Sequence, residues 1–247
     1  MSALLESLTT LEWVLTMLIL VAAYLVRGIA GFGSGLIAIP LLAQFLPLVV
    51  VVPMIGLLDY IASSGHGLKH RQAIAWREIL PLLPFTLLGV GTALYLFYTI
   101  DGELLRKALG VFVMLYALYT LAGLMPRGQG RRLWAAPAGA FGGLIGTLFG
   151  TGGPFYVIYL HLRQLDKTAF RATVAMIFLI DGSSRILGYF ATGLYSAQTI
   201  ILVALALPIM VLAMYLGGRI HTNLTQQAFQ RGIGVLLIGS GLALLLR

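Results

Sequence analysis

The chain has 247 residues, 60% of them hydrophobic and only 10% charged, with a formal net charge of +8 and no cysteine. A soluble core of this length would carry a far more charged surface, and disulfides, thiol catalysis and cysteine metal sites are excluded outright. The basic residues sit in short gaps between apolar runs, where they read as topology signals, and no basic stripe with interleaved aromatics points to nucleic acid.

At the N-terminus, "MSALLESLTTLEW" places Glu6 and Glu12 where a signal peptide would need basic residues. Hydropathy then predicts eight long apolar segments, at about 12–45, 48–65, 79–99, 106–125, 134–160, 171–191, 199–218 and 231–246. Their length suits bilayer crossing, so the expected class is an all-α integral membrane protein. The first and fifth segments carry glycine clusters in mid-run: "GIAGFGSGLIAIPLL" from Gly28 and "FGTGGPFYVIYL" from Phe149.

The two clusters match residue for residue, as Phe32/Phe149, Gly33/Gly150, Ser34/Thr151 and Gly35/Gly152. Farther along, "MIGLLDYIASS" from Met54 matches "MIFLIDGSSR" from Met176 and pairs Asp59 with Asp181. Pro84 and Pro208 fall in equivalent spans, and "KALGV" from Lys107 matches "RGIGV" from Arg231. The order predicts two homologous membrane repeats, 1–125 and 134–247, joined by a cytoplasmic linker at 126–133. Each repeat has about four long apolar segments. If the chain reverses at each glycine cluster, each repeat makes five passes and the second is inverted. The basic connectors around Lys69, Arg77, Arg127, Arg131, Arg163 and Arg171 then share the inner side, as the positive-inside rule requires. Eight unbroken crossings would divide the basic residues almost evenly. Whether each cluster is a re-entrant tip or a joint between short spans stays open.

Irregular backbone at membrane depth is tolerated only where protein buries it or it lines a wet cavity. The plain reading of the clusters is close helix packing of the GxxxG kind. The functional reading starts a half-helix at each one, with Ser34 and Thr151 as N-caps and Pro154 in a first turn. Two such ends with free N–H groups would make an anion site at mid-membrane.

"GFGSGLIAIPLL" followed by "GTGGPFYVIYL" resembles the sulfite exporter TauE/SafE family of membrane permeases, over nearly the whole chain. The resemblance implies transport, with export expected, of sulfite, thiosulfate, a sulfonate or another small organic anion. Its motif positions here are Gly31, Phe32, Gly33, Ser34 and Gly35, then Gly150, Thr151, Gly152, Gly153 and Pro154. Leu36 and Ile37 stand where the second cluster has Gly153 and Pro154, so the two half-sites need not contribute equally.

Charges within spans come next. Asp59 and Asp181 are candidates for coupling protons, since a carboxylate inside a span normally faces a partner or a cavity. For Asp181 the structural alternative is an ion pair with Arg185, four residues later on the same helical face. Arg27 and Arg185 are the cationic candidates for the substrate, because guanidinium offers paired donors to sulfonate or carboxylate oxygens; Arg27 can equally snorkel to the interface. His66 and His70 lack a third ligand and read as interfacial, so no metal is expected. The serines at 63, 64, 183 and 184 either bond their own helices or line the path. No nucleotide motif is present, and no cofactor is expected. Partners are a small anion and the lipid bilayer of a prokaryotic cytoplasmic membrane, with a homo-oligomer left open. The rival readings are a cation/proton antiporter using Asp59 and Asp181 as ligands, a membrane enzyme, for which no nucleophile–base set exists, and a non-transporting scaffold.

Overall fold

The protein was analysed as a computed structural model that describes residues 9–30, 33–64, 71–123, 128, 130–220 and 226–246. The described residues contain helices and no strand. In chain order the helices are α1 (Thr10–Ala30), α2 (Ser34–Leu42), α3 (Leu48–Ser64), the single turn α4 (Trp76–Ile79), α5 (Leu83–Thr99), α6 (Gly102–Leu121), α7 (Ala135–Phe149), α8 (Gly153–Leu162), α9 (Lys167–Ala191), α10 (Ala197–Arg219) and α11 (Gln226–Leu246). Four of them, α1, α6, α9 and α10, are long and apolar enough to cross a membrane. The chain is a multi-pass, all-α membrane protein.

The first and fifth apolar segments are both broken at their glycines. Gly33 (φ 99°) and Gly150 (φ 68°) hold left-handed backbone, a conformation that costs other residues about 1–2 kcal/mol. Helix capping differs from the sequence expectation. Gly33 and Gly152 are the N-caps of α2 and α8, neither with a side-chain cap bond. Ser34 is already the first helical residue, and Thr151 precedes the cap. Gly33 caps with left-handed backbone, whereas Gly152 is right-handed and is glycine because a Cβ there would collide with the Gly142 carbonyl oxygen. Pro154 does stand in the first turn of α8, where its missing N–H leaves no hydrogen bond broken.

Contacts divide the chain into two compact units, each drawing on both sequence halves. One comprises residues 1–58, 100–124 and 194–247. Within it α1 packs on α10 and α6 on α11 through small residues. A Cβ on Gly28 would lie 2.6 Å from the Met214 carbonyl oxygen, and one on Gly241 3.0 Å from that of Gly110. Such approach substitutes backbone van der Waals contact for side-chain interdigitation, as is usual between membrane helices. The short α2 is buried almost throughout, and Gln44, just beyond it, donates to the Ser240 carbonyl at 3.2 Å.

The other unit comprises residues 59–99 and 125–193. Its centre is the pair α5 and α7, whose backbones meet at Gly89, Gly139 and Gly143; a Cβ on Gly139 would lie 2.6 Å from the Leu82 carbonyl oxygen. Gly139 and Gly143, four residues apart and outside the two glycine clusters, make this a close contact of the GxxxG kind. Gly142, on another face of α7, carries the Tyr156 ring of α8, and Phe141 stacks with Phe155 at 5.9 Å. Helix α8 therefore folds back along α7. The Gly130 N–H donates to the Leu162 carbonyl at 3.0 Å, closing the hairpin at its base. At 15 and 10 residues the arms are about 22 and 15 Å long at 1.5 Å per residue. Arms that short put the Gly150 turn inside a hydrocarbon layer of about 30 Å.

Candidate functional site

The tip of the α7–α8 hairpin lies against the middle of α9, where both in-span charges of that helix are found. Asp181 is only 2% exposed. Its Oδ2 is 3.1 Å from Arg185 Nη2, the i,i+4 pair that helical spacing predicts. Its Oδ1 accepts from the Tyr156 hydroxyl at 3.1 Å, and that hydroxyl is 3.4 Å from Thr86 Oγ1 on α5. The Arg185 Nη1 group donates to the Gly146 carbonyl of α7 at 2.7 Å, and the Tyr189 hydroxyl to the neighbouring Thr147 carbonyl at 2.6 Å. These carbonyls belong to the last turn of α7, where the Gly150 N–H also donates to that of Gly146 at 3.0 Å and further helical donors run out. One face of α9 thus satisfies the ragged helix end.

Packing at the turn leaves almost no side-chain volume. A Cβ on Gly152 would collide with the Gly142 carbonyl and come within 2.9 Å of the Gly146 Cα, and a Cβ on Gly146 would lie 3.6 Å from Asp181 Oδ2. Three polar atoms around this turn are buried and have no hydrogen-bond partner: Thr147 Oγ1, Thr151 Oγ1 and Arg185 Nε. Thr147 is fully buried and Thr151 5% exposed. All three can donate, and a buried polar group without a partner costs about 1–3 kcal/mol.

Asp59 approaches the same helix. Tyr60 lays its ring against Gly182, its hydroxyl is 3.0 Å from Ser183 Oγ, and the Asp59 charge adds to the field at Arg185. Asp59 and Asp181 therefore each lie one residue from the Tyr60–Gly182 contact. The hydroxyls of Ser63, Ser183 and Ser184 donate to carbonyls four residues earlier in their own helices, at 2.8, 2.8 and 2.9 Å.

The first glycine cluster lies in the other unit. Arg27 Nη1 donates to Ser34 Oγ at 2.8 Å, spanning the break from α1 to α2, and Gly35 is buried in the first turn of α2. Gly31 and Phe32, like His66 and His70, lie outside the described residues. Among the described residues no group of acids or histidines is arranged for a metal.

Sequence reasoning assigned no role to Glu78. It is 5% exposed and sits at the end of the unit where the hairpin closes. It accepts from the Tyr159 hydroxyl at 2.7 Å, from Arg163 Nε at 2.9 Å and from Arg132 Nη2 at 3.2 Å. Arg163 also reaches the Gly130 carbonyl at 2.5 Å. Burial by itself raises the Glu78 pKa, but the bonds from Tyr159 and Arg163 and the charges of Arg163 and Arg132 together hold it below its ordinary value. The available signal was a lone acid, "WREIL", among basic connectors.

Comparison with known proteins follows this geometry. The sequence pattern of the family described as "Sulfite exporter TauE/SafE" matches residues 15–244. The "Probable inner membrane transporter protein TsaS" of Comamonas testosteroni is 31% identical over 195 residues, 77% of this chain and 81% of that protein. The "Probable sulfite/organosulfonate exporter TauE" of Cupriavidus necator is 26% identical over 228 residues, 88% of each chain. No solved structure matches the chain.

Proposed function

The chain belongs to the sulfite exporter TauE/SafE family, and from that premise we propose that it carries sulfite or a small organic sulfonate out across the cytoplasmic membrane, using the α7–α8 turn as an anion site. Family membership makes the protein a membrane transporter and not an enzyme. The family description and the name of the Cupriavidus necator relative support the substrate class. The observation that carries the site is the trio of unpartnered donors, Thr147 Oγ1, Thr151 Oγ1 and Arg185 Nε, gathered where the backbone is walled by glycine. Three orphan donors at one turn are a large unfavourable contribution unless ligand oxygens accept from them. A sulfite or sulfonate group presents three such oxygens, and a guanidinium edge suits them.

Asp181 supplies a coupling. Charged, it neutralises Arg185; protonated, it leaves the guanidinium uncompensated and attractive to an anion. Proton and anion then favour each other's binding, and the coupling is reciprocal. Export of a monoanion together with a proton is electroneutral. Asp59, one residue from the Tyr60–Gly182 contact, is the second candidate for that proton. The first cluster, with Gly33, Ser34, Gly35 and Arg27, is proposed as a separate anion-binding break within the other unit.

The test replaces Thr151 with Val, which keeps the shape and removes the orphan hydroxyl. The purified variant should melt at or above the wild-type temperature, lose stabilisation by sulfite, thiosulfate and sulfonates, and lose uptake in liposomes. Retained anion stabilisation in Thr151→Val refutes the site. If no anion stabilises the wild type while sodium or pH does, the reading gives way to a cation/proton antiporter whose ion ligands are Asp59 and Asp181.

A further inference from the structure

A groove of about 390 Å³ opens at the basic end of the second unit, away from the α7–α8 turn. Pro81, Phe85, Leu133 and Ala136 give it apolar walls, and Arg131 and Arg132 stand at its edge. Phe85 and Leu88, three residues apart on α5, share one face and are exposed, and Pro81 lies in the turn just before that helix. Trp134, next to the groove, is exposed as well; tryptophan at that level is an interfacial residue in a membrane protein. Glu78, the acid at this end, is already bonded by Arg163 and Arg132. Arg131 and Arg132 both line the groove, so the positive charge there exceeds the single carboxylate that Arg132 and Arg163 share.

We propose that this groove binds an anionic phospholipid, its phosphate held by Arg131 and Arg132 and its acyl chains laid along the Phe85–Leu88 face of α5. A soluble anion would satisfy the arginines but leave the apolar walls unexplained. A zwitterionic lipid would satisfy the walls but bring no net charge to the arginines. An anionic lipid does both, and its headgroup lies at the depth where basic residues flank apolar spans.

The experiment uses the full chain in nanodiscs of phosphatidylcholine alone or mixed with phosphatidylglycerol of the same acyl chains, with retained lipid read by native mass spectrometry. Wild-type protein should retain phosphatidylglycerol over phosphatidylcholine. Arg131→Gln, an exposed position, should lower that preference about fivefold with an unchanged melting temperature. Ala136→Leu, which fills the groove, should lower retention of both lipids. Equal retention of the two lipids by the wild type overturns the proposal, as does a preference unchanged in Arg131→Gln or retention unchanged in Ala136→Leu. Displacement of phosphatidylglycerol by inorganic phosphate alone would also overturn it, because the site would then recognise a free anion.

Discussion

Replacing Glu78 with Gln tests whether the closure of the hairpin base is electrostatic. The change keeps the shape and one acceptor oxygen but removes the charge that Arg163 and Arg132 share. Arg163 is 23% exposed and its other bond goes to the neutral Gly130 carbonyl, whereas Arg132 is 54% exposed and can turn to water. Breaking a fully buried pair costs about 3–5 kcal/mol, while an exposed pair contributes about 0–1 kcal/mol. One half-buried and one exposed partner place Glu78→Gln between these limits, at about 2–3 kcal/mol. At about 2–4 °C per kcal/mol for a chain of this size, the melting temperature should fall by roughly 5–10 °C. The pH dependence has a definite sign. The folded pKa of Glu78 lies below its ordinary 4.5, so its contribution is complete above that value and disappears as pH falls through the folded one. Thermal melts of detergent-purified wild type and Glu78→Gln should therefore differ by a constant amount near neutrality and converge in acid. Adding Arg163→Gln to Glu78→Gln should recover part of the loss, because the stranded cation is gone. Equal melting of the two proteins at neutral pH, or a gap that widens in acid, refutes the reasoning.

Two glycines of the second unit should respond in opposite ways. Gly143→Ala drives a Cβ into the Thr86 carbonyl of the facing helix and should destabilise by about 1–3 kcal/mol, while Gly91→Ala, which meets nothing within 4 Å, should be neutral or stabilise by about 0.5–1 kcal/mol; parallel thermal melts compare them. Asp181→Asn strands the Arg185 guanidinium and should cost about 3–5 kcal/mol, whereas the double variant with Arg185→Gln should cost clearly less than the two single changes summed. In liposome assays Asp181→Asn should also flatten the pH dependence of anion uptake, and uptake that follows pH as in the wild type would remove Asp181 from the coupling.

The helices were legible because the bilayer imposes a simple rule, charge-free stretches bounded by basic connectors, and both breaks were visible as glycine runs. The Asp181–Arg185 pair was legible too, since i,i+4 spacing is a local fact. What escaped depends on contacts between distant residues. Glu78 meets Arg132 and Arg163 across 54 and 85 positions, and nothing local to "WREIL" announces either partner. Tyr156 lies within the second glycine motif, but its bond to Asp181 follows from α8 folding back along α7. The capping of the two short helices was misread for a related reason. Ser34 and Thr151 have the composition of N-caps, yet the cap falls one residue earlier at the left-handed Gly33 and one residue later at Gly152, where the Gly142 carbonyl leaves no room for a Cβ. That displacement gives Ser34 to Arg27 and leaves the Thr151 hydroxyl without a partner.

The hairpin that leaves and re-enters at one end also bears on how the protein reaches the membrane. Between Trp134 and Leu160 no residue is charged, and the hydrogen bond from Gly130 to Leu162 ties the two ends together. Such a segment can enter the bilayer as a closed loop, without carrying any hydrophilic connector to the far side. Its insertion requires only that the two arms pair before the tip loses water, because the polar backbone of the turn is then already covered by Gly142 and Gly146. Biogenesis of this part of the chain would proceed by partition of a folded pair, and the basic residues at its base would set the depth at which it stops.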